Sequence, residues 1–110
     1  MGDRTWEQVG RLRAWLDAEA ETTGPADTRL LRVLKIGEEF GEVAEAMHGA
    51  MGANPRKGRS HDWDDVQKEL ADVIVTAMVA LDTIVPDARH VLDEHLGAVV
   101  ARVLPETRDA

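Results

Sequence analysis

The sequence predicts an all-α fold, a four-helix bundle in a single domain, and three observations predict it. Apolar residues recur at three- and four-residue spacing along four segments. Glycine and proline clusters fall between those segments, where helices must stop. The chain has 110 residues, the length of one domain with a modest core.

The first helix is expected from about Thr5 to Glu21. Thr5-x-x-Gln8 has the form of a capping box, and Trp6, Val9, Leu12 and Leu16 share one face. Thr22-Thr23-Gly24-Pro25 breaks it. The second helix starts near Asp27 or Thr28 and continues to about Ala50, with Val33, Ile36, Phe40, Val43, Met47 and Met51 as its expected core face. Leu30, Leu31 and Leu34 fall off that arc. A second apolar patch needs a second partner, either another copy of the chain or the first helix.

A loop follows from Gly49 to His61, rich in glycine and holding Asn54-Pro55. Ser60 or Asp62 then caps a third helix that runs to about Ile84. Pro86 sets up the fourth helix, whose inner stripe is Val91, Leu92, Leu96, Val99, Val100 and Val103, and Pro105 ends it.

Composition narrows the function. Hydrophobic residues at 44% and charged residues at 31% are ordinary for a globular protein. A net charge of −8 argues against nonspecific binding to nucleic acid or to an anionic membrane. The absence of cysteine removes disulfides, thiolate zinc sites and cysteine nucleophiles. No apolar segment is long enough to span a bilayer and none reads as a signal, so a cytoplasmic protein is expected.

The chemistry lies in two acidic clusters, Glu38-Glu39-x-x-Glu42 and Glu69-x-x-Asp72. The second precedes the run Val-Ile-Val-Thr-Ala-Met-Val-Ala-Leu, so the third helix is expected to be buried nearly all round. On a helical wheel Asp65, Asp72 and Thr76 lie within about 60° of Glu69, a single narrow polar stripe. Glu39 and Glu42 are one turn apart, as are Glu69 and Asp72. If the two helices pack antiparallel, the pairs face each other. Carboxylates that close repel unless protonated or bridged by cations. Hard oxygen ligands favour magnesium or manganese over zinc. Glutamates on a helix are more often a solvated face, and that plain reading is strongest for Glu38 and Glu45.

Lys35-Ile-Gly-Glu38-Glu39-Phe-Gly-Glu42-Val-Ala-Glu45-Ala, followed by Glu69-Leu-Ala-Asp72-Val, resembles the MazG-type all-α nucleoside triphosphate pyrophosphohydrolases. The resemblance covers the second and third helices, about half the chain. It implies a MazG-like bundle, assembled as a homodimer or homotetramer, that hydrolyses a nucleoside triphosphate to monophosphate and pyrophosphate with Mg2+ or Mn2+. By motif, Glu39, Glu42, Glu69 and Asp72 would hold the metal. Glu38 or a metal-bound carboxylate would act on the attacking water. Relatives often place an aromatic beyond the first cluster, whereas this chain has His48-Gly49. On the last helix Arg102 is the nearest counterpart to the family's amide or basic residue.

Lys35 and the loop cations Arg56, Lys57 and Arg59 are candidate phosphate ligands. For Lys35 an ion pair with Glu39 one turn on is the plainer role, and for the loop a solvated surface is an equal one. Trp6, Trp15 and Trp63 are each expected in the core, although any of them could stack on a base. Other functions remain open. Glu45-x-x-His48 is half of a di-iron carboxylate signature, which needs a second such motif on another helix. A non-catalytic helical module that binds nucleotide, or a basic-loop nucleic-acid binder, would use the same features without turnover.

Overall fold

Helix ends follow the chain's own capping chemistry. The computed structural model describes residues 2–23, 27–56 and 58–105; Gly24, Pro25 and Lys57 lie outside the described residues. Four helices account for the described chain: α1 Asp3–Thr23, α2 Thr28–Met51, α3 Trp63–Ile84 and α4 Ala88–Val103. No strand occurs among the described residues, only an isolated bridge between Asn54 and Gly58.

The Asp27 side chain accepts from the backbone N–H groups of Arg29 and Leu30 and starts α2. Gly52, at φ 65°, ends it in the left-handed conformation that glycine adopts without a Cβ penalty. Asp62 and Asp65 exchange side-chain-to-backbone hydrogen bonds of 2.9 and 3.0 Å, a reciprocal capping box that starts α3. α1 begins two residues earlier than the sequence suggests, because Thr5 N–H already bonds the Gly2 carbonyl. Thr5 is thus inside the helix and its expected cap does not form.

α2 and α3 pair antiparallel along their length. Ala46 and Ala50 pack with Val66 near the connecting loop, and Arg32 meets Thr83 at the far end. The small alanines let the two backbones approach closely. Gly49 does the same for the loop: a Cβ there would collide with the His61 ring and the Ser60 hydroxyl. α1 lies across one side of this pair, where Val9, Met78 and Val79 form a second core cluster with Trp6 and Leu16 against it.

Charge ties the three helices together. Arg32, only 9% exposed, donates to Asp17 at 2.7 Å and to the Thr83 hydroxyl at 2.9 Å. Arg13 bridges Asp17 at 2.7 Å and Asp82 at 2.6 Å. The Asp17 carboxylate accepts from both Arg13 and Arg32, and these two guanidinium groups reach α3 at Asp82 and Thr83. Nothing in the periodicity of the sequence marks Arg32 as buried.

The core is thinner than the sequence implies. On α2, Val43 is buried, but Val33, Phe40 and Met51 are exposed, as are Leu30, Leu31 and Leu34. α1 does not cover that leucine patch. On α3, Leu70, Ile74 and Val75 are exposed, so the helix is not buried all round. On α4, Val91, Leu96, Val100 and Val103 are exposed, leaving only Leu92 and Val99 half-buried on its stripe. Trp15 and Trp63 are at the surface rather than in the core, and Trp6 is half-buried. The reason is shape. The chain forms a slab of 55 × 50 × 23 Å with a radius of gyration of 17.8 Å, whereas a compact domain of this length has about 13 Å. No described helix is long and apolar enough to cross a membrane.

Replacing Arg32 by Met keeps the packing volume but strips Asp17 and Thr83 of their shared donor. Urea unfolding should show a loss of about 2 kcal/mol. Arg32's hydrogen bond, with Arg13's, holds the Asp17 carboxyl below its ordinary range, against a smaller opposing effect of burial. A depressed carboxyl adds stability above its unfolded value, near 3.8, and loses it as pH falls through the folded value. The deficit of Arg32→Met should therefore shrink in acid, and a deficit independent of pH would rule out this charge network.

Candidate metal centre

The antiparallel register sets the first acidic cluster against the second. Glu39, Glu42, Glu69 and Asp72 each offer one carboxylate oxygen, and these oxygens all lie within 4.8 Å of one another. Two turns of helix achieve this. Residues three apart on α2 point the same way, as do residues three apart on α3, and the reversed direction matches Glu42 to Glu69 and Glu39 to Asp72.

The cluster sits at the edge of the α2–α3 seam. Glu39 and Glu69 are half-buried and Glu42 and Asp72 are exposed, so the site has a floor and an open mouth instead of the dry interior expected from the apolar run. At its floor, Glu69 Oε2 is buried without a hydrogen-bond partner. A buried acceptor in that state costs free energy unless a donor or cation reaches it. Lys35 Nζ lies 3.4 Å from Glu39 Oε1 and supplies one positive charge from the turn before.

The remaining charge is uncompensated. The Glu42 carboxyl is pushed above the usual carboxylate range, first by its hydrogen bond with Glu69 and then by repulsion from Glu39 and Glu69. Without a cation, two of these carboxylates do best by sharing a proton. The residues present fit a hard divalent ion: every donor is a carboxylate oxygen, Glu69 also holds a buried oxygen without a hydrogen-bond partner, and Glu42 and Asp72 are exposed.

The other candidates fall elsewhere. Glu38 is exposed and outside the four-carboxylate group. Arg56 and Arg59 are exposed in the loop beyond α2, with Arg59 folded against Gly52. That places the loop about nine residues, or roughly 14 Å, along the axis from Glu42. Glu45 and His48 line a separate recess of about 630 Å3 with Gly41, Asn54, Pro55 and Ser60. They are not in the carboxylate group, and no second Glu-x-x-His joins them, so the di-iron arrangement is absent among the described residues. Arg102 is exposed in the last turn of α4.

One feature escaped the sequence. Leu12, Trp15, Leu16, Val75 and Val79 line an apolar groove of about 160 Å3, with Lys35 and Thr76 also on its wall. Lys35 is one turn from Glu39 and Thr76 one turn from Asp72, so the groove opens beside the carboxylates. Helical spacing puts Trp15 near the core face of α1, and only the placement of α1 across the pair shows that 60% of it is exposed. Comparisons with protein-family models, with curated proteins and with solved structures find no match to this chain.

The uncompensated cluster has a measurable consequence. A carboxyl with a raised value favours the folded state below its ordinary value near 4.5 and loses that contribution as pH rises through the folded one. In metal-free buffer at neutral pH, Glu42→Gln should therefore raise the melting temperature. Added Mg2+ or Mn2+ should stabilise the wild type by more than it stabilises Glu42→Gln, read by thermal denaturation across a metal titration. Equal metal responses would remove Glu42 from the site.

Proposed function

We propose that the chain is a divalent-metal-dependent nucleoside triphosphate pyrophosphohydrolase of MazG-like type, releasing monophosphate and pyrophosphate. The observation that supports this most is the convergence of carboxylate oxygens of Glu39, Glu42, Glu69 and Asp72 within 4.8 Å, with Glu69 also holding a buried, unpartnered oxygen. The spacing of those residues is also what makes the sequence resemble that family.

A bound magnesium or manganese ion would neutralise phosphate charge and make a coordinated water more acidic. The protein's own groups set the geometry. Glu39 and Glu69, held by the packed seam, fix the inner side of the ligand set, while Glu42 and Asp72 close its outer side. Glu38 lies outside the set and takes the proton as water attacks the α-phosphorus in line, with pyrophosphate as leaving group. Lys35, already beside Glu39, exchanges that ion pair for a phosphate oxygen. The groove next to the cluster receives the flat apolar part of the nucleoside against Trp15. The exposed loop cations Arg56 and Arg59 meet the outer phosphates only if the loop swings inward. A homodimer or dimer of dimers is the working assembly in this reading, and a cytoplasmic nucleotide pool its setting.

The test is a panel of NTPs and dNTPs with Mg2+, assayed for pyrophosphate. Glu42→Gln and Asp72→Asn should each lower turnover by on the order of 100-fold or more while remaining folded. Trp15→Ala should raise KM more than it lowers kcat. Nucleotide-dependent thermal stabilisation with no pyrophosphate from any substrate would favour the non-catalytic binding module instead.

A further inference from the structure

The apolar groove leads away from the carboxylates by the same distance on both of its long walls. On α2, Arg32 precedes Glu39 by seven residues, and on α3, Val79 follows Asp72 by seven. Seven residues of helix rise about 10 Å, the scale of one nucleoside laid along the seam. With phosphates at the carboxylates, the sugar falls beside Lys35 and Thr76, one turn from Glu39 and Asp72. The base then falls farther on, between Trp15 and Val79, with Arg32 on the wall.

Arg32 is a fixed donor at that place. The residue is only 9% exposed, and one nitrogen, Nη1, donates both to Asp17 at 2.7 Å and to Thr83 Oγ1 at 2.9 Å. No described residue accepts from its Nε or Nη2. Those two nitrogens form one edge of the planar guanidinium, a fork of parallel N–H groups. The fork therefore suits two acceptors set side by side. Among the residues lining the groove only Thr76 has a side chain able to accept a hydrogen bond, and it stands at the level of the sugar. Asp17 touches Arg32 but does not line the groove, and it already accepts from Arg13 and Arg32.

We infer that Arg32 selects a 6-oxopurine nucleotide, of guanosine or inosine type, over its 6-aminopurine counterpart by donating from Nε and Nη2 to the base O6 and N7. The inference rests on the nucleotide-binding reading above and names the substrate class. The O6 and N7 atoms of a 6-oxopurine are adjacent acceptors that match the arginine fork. A 6-aminopurine puts a donor where the O6 was. Its amino group would face the guanidinium, give up water and meet no acceptor, and an unpartnered donor is penalised more than a satisfied one is rewarded. A pyrimidine offers no second acceptor beside its 4-oxo group and engages the fork at one point. Stacking on Trp15 is tolerant of base identity, so discrimination falls to Arg32.

Calorimetric titration with Mg2+ and the α,β-methylene analogues of the triphosphates tests this without turnover. The inosine and guanosine analogues should bind about tenfold more tightly than the adenosine analogue. A 7-deazaguanosine analogue, which lacks the N7 acceptor, should lose most of that advantage. Arg32→Lys keeps the charge but not the fork, and should bring inosine and adenosine to near-equal affinity, with circular dichroism as the check on folding. If that variant fails to fold, the 7-deaza comparison on wild type carries the test alone. Equal affinities in the wild type, or tighter binding of the adenosine analogue, overturn the inference. A preference that survives both Arg32→Lys and loss of N7 overturns the role of Arg32. Binding of none of the analogues overturns the nucleotide reading along with it. The stated preference with no pyrophosphate released from the unmodified triphosphates would overturn the hydrolase reading and leave the base selection standing.

Discussion

Carboxylates brought within a few ångströms of one another repel, and a fold can hold them there only if something else fixes the backbone. In this protein the α2–α3 seam does that. Ala46 and Ala50 let the helices approach at one end, and the Arg32–Asp17–Thr83 contacts clamp them at the other. Between those anchors, the register sets Glu39 and Glu69, both half-buried, beside the exposed Glu42 and Asp72, with their carboxylate oxygens within 4.8 Å of one another. The strain shows in the raised proton affinity of Glu42 and in the buried Glu69 oxygen that nothing satisfies. Such a grouping opposes folding by mutual repulsion unless a proton or a cation offsets it.

The clamp and the cluster also explain why the apolar surface is arranged as it is. Polar groups occupy the inner seam, where a small bundle would normally keep its largest aliphatic residues. The buried apolar side chains are alanines, valines and Met78, while Phe40, Trp15 and Trp63 are at the surface. One of these, Trp15, walls the groove next to the carboxylates. A chain of this size cannot both line a charged site and bury every large side chain by itself, because it has too little interior for both.

Much of the secondary structure was legible in the residues. Asp27, Gly52 and Asp62 start or stop helices where their side-chain or backbone chemistry dictates, and the observed ends agree to within a few residues. Thr5 misled because a threonine followed three residues later by glutamine looks like a cap, yet the chain had already turned at Gly2. The grouping of the acidic residues was legible too, since the spacing of three along each helix fixes which carboxylates share a face. Burial was not. Val33, Phe40, Met51, Leu70 and Ile74 have the periodicity of a core, and a stripe reads the same whether its own chain or another covers it.

What the sequence alone determined is local: four helices, their caps, and two carboxylate pairs each facing one way. Those follow from backbone geometry and from groups a few residues apart. The tertiary structure decided which pair met which, that Arg32 would be buried, that Trp15 would flank the site, and which large apolar side chains were left exposed. Each of these depends on the register and crossing of α1, α2 and α3. That geometry is set by contacts between residues dozens of positions apart, such as Arg13 with Asp82 and Arg32 with Thr83, which no periodicity along the chain encodes.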